Sequence, residues 1–192
     1  MKNTVKKLGL MVIVAFAAFS FTEINVVNKE VKIEESNVVW KGYKVTGAHE
    51  GTIEIKSGSL AFEDDKLIGG EFVIDMTTIN TTDLEGEYKG KLDGHLKSDD
   101  FFGVENYPTA KLVFKKVEAS GKNAYNVNAD LTIKGKTNPI SFTISIYGNK
   151  ATANLKIDRS KYDVRYGSTS FFDNLKDKAI YDEFDLIADL QF

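Results

Sequence analysis

The fold class of this chain is decided by residues 125–158, which run YNVNADLTIKGKTNPISFTISIYGNKATANLKID. Apolar side chains occupy every second position in three successive runs within this stretch, 125–133, 140–146 and 151–157. A period of two is typical of a β-strand with one buried and one wet face. The links between the runs are short and contain Gly135 and Gly148, as hairpin loops do. The stretch therefore predicts three antiparallel strands, each paired with the next.

The same alternation recurs in the rest of the chain. It is clear over 184–192 and looser in five earlier segments, 38–46, 51–56, 60–63, 67–76 and 111–119. Strands with one apolar face bury it in a two-sheet sandwich or in a sheet closed on itself. Successive hairpins favour a sheet closed on itself. The scarcity of proline favours it too, because 2 prolines offer little protection to open sheet edges. We predict an all-β fold, an eight-stranded antiparallel up-and-down barrel, with the sandwich as the alternative.

Two stretches break the period, residues 77–102 and 159–178. The first is charged and rich in glycine, and it predicts a long connection with one or two short helical turns, with Asp83 or Ser98 as the cap. Both stretches carry an adjacent aromatic pair, Phe101-Phe102 in the first and Phe171-Phe172 in the second. Such segments are expected to act as lids or plugs over an end of the barrel.

The first twenty residues have the three parts of a secretory signal peptide. Three lysines precede an apolar run over 8–19, and small residues follow up to Ser20. We predict cleavage after Ser20, a leader over 21–37 and the barrel over 38–192, with no membrane span left after cleavage. An uncleaved anchor is the alternative. Because the chain has no cysteine, a lipid-modified lipoprotein and a disulfide framework are both excluded.

The composition bounds the classes of partner. The chain of 192 residues is 42% hydrophobic, which is enough for a sizeable core, and its net charge is −3. Three of its lysines lie in the predicted signal peptide, so the remainder is more acidic still. An acidic surface argues against nucleic acid and against adhesion to anionic membranes by charge.

Residues suited to catalysis are scarce. There is no cysteine and no Gly-x-Ser-x-Gly motif, and the histidines are His49 and His95 alone. On a helix His95 and Asp99 would share a face, but two ligands are one short of a catalytic zinc site. The pair Gly69-Gly70 predicts a bulge or a bend in a strand rather than a phosphate loop. We therefore predict no enzyme, no metal and no cofactor.

The barrel interior is the remaining feature of interest. An eight-stranded barrel is just filled by side chains or holds one small ligand. Four inward positions are small, Ala129, Ala151, Ala153 and Ala188, and these leave volume. On this pattern either large neighbours such as Phe114, Phe142 and Phe184 fill the space or an apolar ligand does.

Several motifs along the chain are specific enough to indicate a family. The most specific is GHLKSDDFF at 94–102, followed by YPTA at 107–110. The others are Trp40, the GAHEGT stretch at 47–52, GGEFVIDM at 69–76, LTIKG at 131–135 and the R-x-x-Y-x-V spacing at 159–164. With these motifs the chain resembles the YceI family of secreted bacterial lipid-binding proteins, and the likeness covers residues 38–192.

The resemblance implies a lipocalin-like barrel in the periplasm, often dimeric, that encloses an elongated apolar cavity for a polyisoprenoid chain or a similar amphiphile. The residues nominated for the tail are Trp40, Phe72, Ile74, Met76, Phe114, Phe142 and Leu155, with Leu96, Phe101 and Phe102 from the motif that ends in the aromatic pair. His95 and Arg159 are nominated for the polar end of the lipid, or else for tying the long loops to the barrel. Two alternatives remain, an enzyme that acts on such a lipid through His95 with Asp99 or Asp100, and a filled barrel that binds a protein partner.

Overall fold

The computed structural model describes residues 25–192, so the predicted signal peptide lies outside the described residues. Nine strands and one α-helix, with three short 3₁₀ helices at Ile33–Glu35, Arg159–Tyr162 and Lys176–Lys178, are the regular elements of this part of the chain. The elements are β1 (Val26–Glu30), β2 (Asn37–Lys44), β3 (Gly47–Glu63), β4 (Lys66–Thr81), α1 (Gly86–Lys97), β5 (Thr109–Ala119), β6 (Ala124–Ile133), β7 (Lys136–Tyr147), β8 (Lys150–Asp158) and β9 (Ile180–Gln191).

The strands form a closed barrel. Each strand from β4 to β9 pairs antiparallel with the next, β9 pairs with β2, and β2 pairs with β3. The additional pairing of β3 with β4 closes the ring, so β2 to β9 make an eight-stranded antiparallel barrel. The predicted fold is confirmed, and the sandwich alternative is wrong. Closure removes the open sheet edges that a chain with so few prolines would otherwise have to protect.

The strand β3 is longer than the sequence predicts. Its first part pairs with β2 and its last part, Ser59–Glu63, pairs with β1. The prediction of two separate strands over 51–56 and 60–63 is wrong, because the break in alternation is a register shift opposite β4 and not a turn. The strand β1 falls within the predicted leader, where pairing on one side only leaves a weak alternation.

The connection after β4 contains a full helix rather than one or two short turns. The helix α1 has 12 residues, begins after Glu85 without a side-chain cap and ends at Ser98, whose hydroxyl donates to the carbonyl oxygen of His95 at 2.7 Å. Asp83 does not cap it, because the Asp83 carboxylate lies 2.8 Å from Nδ1 of His49 on the neighbouring strand. Within residues 25–192 no helix is long and apolar enough to cross a membrane.

An irregular segment of β4 shapes the barrel interior. Opposite β3 the register shifts between Thr52 and Glu54, which leaves Met76–Ile79 as a bulge in β4. The bulge is held by Asp75, whose carboxylate accepts from the Thr77 hydroxyl at 2.6 Å. Bulges commonly redirect side chains, and here both Met76 and Ile79 line the barrel interior. The predicted irregularity at Gly69 is also present, as a register shift beside it.

Candidate functional site

The upper half of the barrel, under α1, contains an apolar cavity of about 130 Å³. Its walls come from seven strands, from α1 and from the connections that follow α1 and β8. Among the described residues that line it, Arg159 is the only charged one. The lining residues are Val38, Trp40, Gly42, Ile53, Ile74, Met76, Ile79, Leu96, Phe101, Phe102, Ala110, Leu131, Ile133, Ile157, Arg159, Ile180, Tyr181, Phe184 and Leu186.

A second cavity of about 80 Å³ lies deeper in the barrel, and every residue that lines it is apolar. Ten of its lining residues do not reach the upper cavity: Ile55, Phe72, Leu112, Phe114, Phe142, Ile144, Ala153, Leu155, Ala188 and Leu190. Further along β3 and β9 the inward side chains are buried ones, Leu60, Phe62 and Phe192. The rings of Phe62 and Phe192 pack with centroids 5.6 Å apart and close this end.

The barrel is therefore hollow, which excludes the filled-barrel alternative. Of the four alanines predicted to leave volume, Ala153 and Ala188 line the deeper cavity. Ala129 and Ala151 do not, and that part of the prediction is wrong: at 1% and 0% exposure they are packed against neighbouring side chains. A small inward residue leaves space only where the side chains across the barrel do not close over it.

The upper cavity borders Tyr181, which lines it and is 55% exposed. At this point β9 contains a bulge opposite β2, because one β2 residue between Gly42 and Lys44 faces three of β9. A Cβ atom added at Gly42 would have no atom within 4 Å. We expect an apolar ligand to enter at this bulge, defined by Gly42 and Tyr181, and we call it the mouth of the cavity.

The connection after α1 covers the same end of the barrel. Phe101 and Phe102 reach into the cavity from it, with their rings edge to face at 5.0 Å, and Leu96 reaches in from the last turn of α1. The Lys134 ammonium group in the turn between β6 and β7 donates to the carbonyl oxygens of Asp99 and Phe101 at 2.8 and 2.9 Å. These hydrogen bonds fix the lid that the sequence predicts for the first aromatic pair.

The second aromatic pair lies differently. Phe171 and Phe172 are 40% and 49% exposed and line neither cavity, so the prediction that they form a plug is wrong. Hydrogen bonds from both of their backbone N–H groups to the Ser168 carbonyl oxygen, at 3.2 and 3.0 Å, form a tight turn. This turn directs the rings outward.

The guanidinium group of Arg159 is 2% exposed and lies at the cavity wall. It donates to the carbonyl oxygens of Val164, Ile180 and Tyr181 at 2.8 to 3.2 Å. Burial lowers the pKa of the guanidinium, which the Asp182 carboxylate 3.5 Å away opposes. Arg159 thus ties the second long connection to β9, which is the alternative role that the sequence left open.

His95 lines neither cavity. Its ring packs edge-on against Tyr166 at 4.3 Å and against Phe101 at 5.6 Å, and its buried Nε2 atom has no hydrogen-bond partner. Asp99 accepts instead from the amide nitrogen of Asn106 at 3.2 Å. The enzyme alternative pairs His95 with Asp99 or Asp100, and neither carboxylate bonds the buried Nε2 atom of His95. Among the described residues there is no group of three metal-ligating side chains.

Burial also affects the neighbouring Tyr162. Its hydroxyl is buried without a hydrogen-bond partner, and burial, with a smaller contribution from Asp158, raises the pKa of Tyr162 to about 12. The hydroxyl therefore stays protonated and neutral. Tyr162 lines neither cavity and lies in the turn after β8.

The structure places eleven of the twelve nominated residues on the cavity walls and leaves out His95. Nominated residues of the upper wall are Trp40, Ile74, Met76, Leu96, Phe101, Phe102 and Arg159, and those of the deeper wall are Phe72, Ile74, Phe114, Phe142 and Leu155. Other lining residues, such as Leu131, Ile157 and Leu186, were not nominated. The alternation marks them as inward, but it does not say which inward side chains border empty space.

Comparison with known proteins relates this geometry to a family. A sequence model described as the YceI-like domain matches residues 21–192. Among curated proteins, the chain is 30% identical over 98 residues to a UPF0312 protein of Pseudomonas putida strain W619, a match that covers 51% of the chain and 49% of the relative. A UPF0312 protein of Photorhabdus laumondii is 31% identical over 98 residues, with 51% and 48% covered. The match thus spans about half the length of these relatives.

Three solved structures share the fold. BcnA of Burkholderia cenocepacia superposes with a TM-score of 0.67 at 23% identity, over 83% of this chain and 98% of that one. A polyisoprenoid binding domain from Saccharophagus degradans gives 0.57 at 15% identity, over 88% and 97%. The YceI protein of Campylobacter jejuni gives 0.55 at 19% identity, over 98% of each chain.

Proposed function

Since this chain belongs to the family of YceI-like domains, we propose that its barrel binds one long apolar chain of isoprenoid type, such as a polyprenyl or quinone lipid, for transport or storage. The observation that carries this proposal is the pair of apolar cavities, which run inward from the mouth to the closed end at Phe62 and Phe192. The polyisoprenoid binding domain among its structural neighbours supports the same class of ligand.

The energetics favour this ligand class. Each methylene group removed from water contributes about 0.8 kcal/mol, so a long isoprenoid chain is almost insoluble and gains from any dry surface. The deeper cavity offers such a surface, because none of the residues that line it is polar. A charged or strongly hydrated ligand would lose its hydration there without compensation.

The geometry also gives the ligand a direction. The tail would lie along the nominated residues of the deeper wall, and the polar end would remain at the mouth beside Tyr181. Arg159 lies on the mouth side, and its hydrogen bonds to backbone carbonyls already engage its Nε, Nη1 and Nη2 atoms. We expect Arg159 to hold the shape of the mouth, and His95 to support the lid through Phe101 and Tyr166.

The location and assembly of the protein complete the proposal. A signal peptide over 1–20 would deliver the barrel to the periplasm or the outside of the cell, where a carrier could exchange lipid between membranes. Association into homodimers is also part of the proposal. Cell fractionation with mass measurement of the mature chain tests the location, and sedimentation of the purified protein tests the dimer.

The test of ligand binding is identification of the lipid that co-purifies. The full chain is produced in a bacterium that exports it, purified without detergent, extracted with organic solvent and analysed by mass spectrometry. Two neighbours on β9 offer a matched pair of variants, because Leu186 lines both cavities while Ile187 is 44% exposed and lines neither.

Wild type and Ile187→Lys are expected to carry an isoprenoid lipid, and folded Leu186→Lys is expected to carry none, since a lysine in a dry cavity opposes an apolar tail. Circular dichroism checks that both variants fold. The proposal fails when wild type yields no lipid in repeated preparations and takes up neither added polyprenol nor added quinone.

A further inference from the structure

The two cavities meet at a ring of five aliphatic side chains that border both of them: Val38, Ile74, Leu131, Ile157 and Leu186. Val38, Ile74, Leu131 and Ile157 come from β2, β4, β6 and β8, which are every second strand around the barrel, and Leu186 comes from β9, between β8 and β2. Inward side chains of alternate strands stack in layers across a barrel. The first four residues form such a layer, and we call all five residues the neck.

We infer that the neck sets which tails the protein accepts, by admitting a single chain from the upper cavity into the deeper one. This inference rests on the proposed function. All five side chains are branched and none is polar, so the neck restricts by width and not by hydrogen bonding. A tail that stops above it buries its surface only in the upper cavity, and a tail that crosses it gains the walls of the deeper cavity as well.

The five side chains of the neck are not equally buried. Val38, Leu131 and Ile157 are 6%, 6% and 1% exposed and are held by neighbours. Ile74 and Leu186 are only partly buried although they point into the barrel, so their exposed surface faces the empty interior. These two side chains have room to move, or to be replaced by larger ones, without displacing the strands. They are the positions at which the neck is narrowed at least cost.

A series of alcohols that differ by one isoprene unit measures where the neck acts. Geraniol, farnesol and geranylgeraniol are titrated into the purified, lipid-free protein. Trp40 is the only tryptophan of the chain and lines the upper cavity, so its fluorescence reports binding without an added dye. Each methylene that leaves water raises affinity about fourfold, so an isoprene unit that finds a dry wall raises affinity more than tenfold.

The variants Leu186→Phe and Ile74→Phe narrow the neck from β9 and from β4. We expect each to weaken binding of geranylgeraniol at least tenfold more than binding of geraniol, so that the rise in affinity with chain length stops at a shorter alcohol. Leu155→Phe, which fills the deeper cavity beside the neck, is expected to stop the rise at a longer alcohol. Ile187→Phe, on the outer face, is expected to leave all three affinities unchanged.

The inference is overturned when Leu186→Phe and Ile74→Phe, shown by thermal unfolding to be folded, keep the wild-type ratio of geranylgeraniol to geraniol affinity. It is also overturned when they weaken all three alcohols equally, since a general loss of packing has no preferred chain length. Failure of the proposed function looks different, because then wild type itself binds none of the alcohols. Two variants from different strands keep the test valid when one of them does not fold.

Discussion

The same substitution is expected to have different effects at two alanines on one face of β8. Ala153 lines the deeper cavity, whereas Ala151, two residues earlier, is 0% exposed and lines neither cavity. A leucine at 153 places three more carbons in empty space, and a leucine at 151 places them where atoms already touch. We therefore expect the substitution at 153 to raise stability and weaken binding, and the substitution at 151 to lower stability and leave binding unchanged.

The magnitudes follow from the area removed from water. In Ala153→Leu the new side chain excludes about three methylene groups of ligand, which lowers affinity by about 2 kcal/mol, or roughly 30-fold. The ligand-free protein becomes more stable by about 1 kcal/mol, as cavity filling commonly achieves. In Ala151→Leu overpacking lowers the free energy of unfolding by about 1–3 kcal/mol. The folded fraction of that variant should bind as wild type does.

Denaturant unfolding of the lipid-free protein gives the first quantity, and titration of farnesol or geranylgeraniol followed by Trp40 fluorescence gives the second. Loss of stability and of affinity together in both variants would refute the reasoning, because it would mean that the space beside Ala153 is already occupied by protein atoms. Retention of full affinity in a stable Ala153→Leu variant would show that ligand does not reach the deeper cavity.

Three further predictions concern the mouth, its anchor and the outer face. Gly42→Phe is expected to slow uptake of farnesol in stopped-flow fluorescence at least tenfold, because a Cβ there meets open space at the mouth, whereas Gly90→Phe on the exposed part of α1 leaves the rate unchanged. Arg159→Lys should lower the free energy of unfolding by about 2–4 kcal/mol in denaturant titrations, because each hydrogen bond from a charged donor contributes roughly 1.5–3 kcal/mol. A lysine side chain cannot reproduce the guanidinium group that donates to three carbonyl oxygens. An unchanged unfolding midpoint would contradict the role of Arg159 as an anchor of the second long connection. The pKa of Asp185 is lowered by the hydrogen bond from the Tyr43 hydroxyl and by the Lys156 ammonium group. The ionised carboxylate therefore stabilises the barrel at pH values above the ordinary pKa of aspartate, about 3.9. This stabilisation is lost as the pH falls through the lowered pKa. Thermal unfolding of Asp185→Asn should therefore depend less on pH below about 4 than that of wild type, and equal dependence would contradict the assignment.

Most strands were predictable because each of them carries its own signal, whereas β1 lay within the predicted leader and β3 was predicted as two strands. In β6, β7 and β8 one face is buried and the other wet along the whole strand, so the period of two survives in the sequence. Register shifts obscure it in β3, where bulges opposite β4 turn successive side chains away from strict alternation. The helix α1 was underestimated for a related reason. It contains Gly90 and Gly94, and its only buried residue is Leu96. Neither its helix propensity nor an apolar stripe therefore predicts a helix of twelve residues.

The cavity was predictable in kind but not in detail. Motif context nominated Phe101 and Phe102, and both line the upper cavity from the segment that follows α1. It placed His95 in the site by its neighbours, although the ring turns outward to Tyr166. Which inward side chains border empty space depends on side chains across the barrel, as Ala151 and Ala153 show. The neck depends in addition on the relative shift of the strands, which no single segment encodes.

The most direct test of binding inside the barrel is methyl NMR of protein labelled at isoleucine, leucine and valine, with farnesol added. We predict intermolecular contacts from farnesol to the methyl groups of Ile157, Leu186 and Leu131, which line the interior. The methyl groups of Ile68 and Val27, which are 42% and 47% exposed, should show none. Contacts to the outer methyl groups alone, with the interior signals unmoved at saturating farnesol, would contradict the central claim.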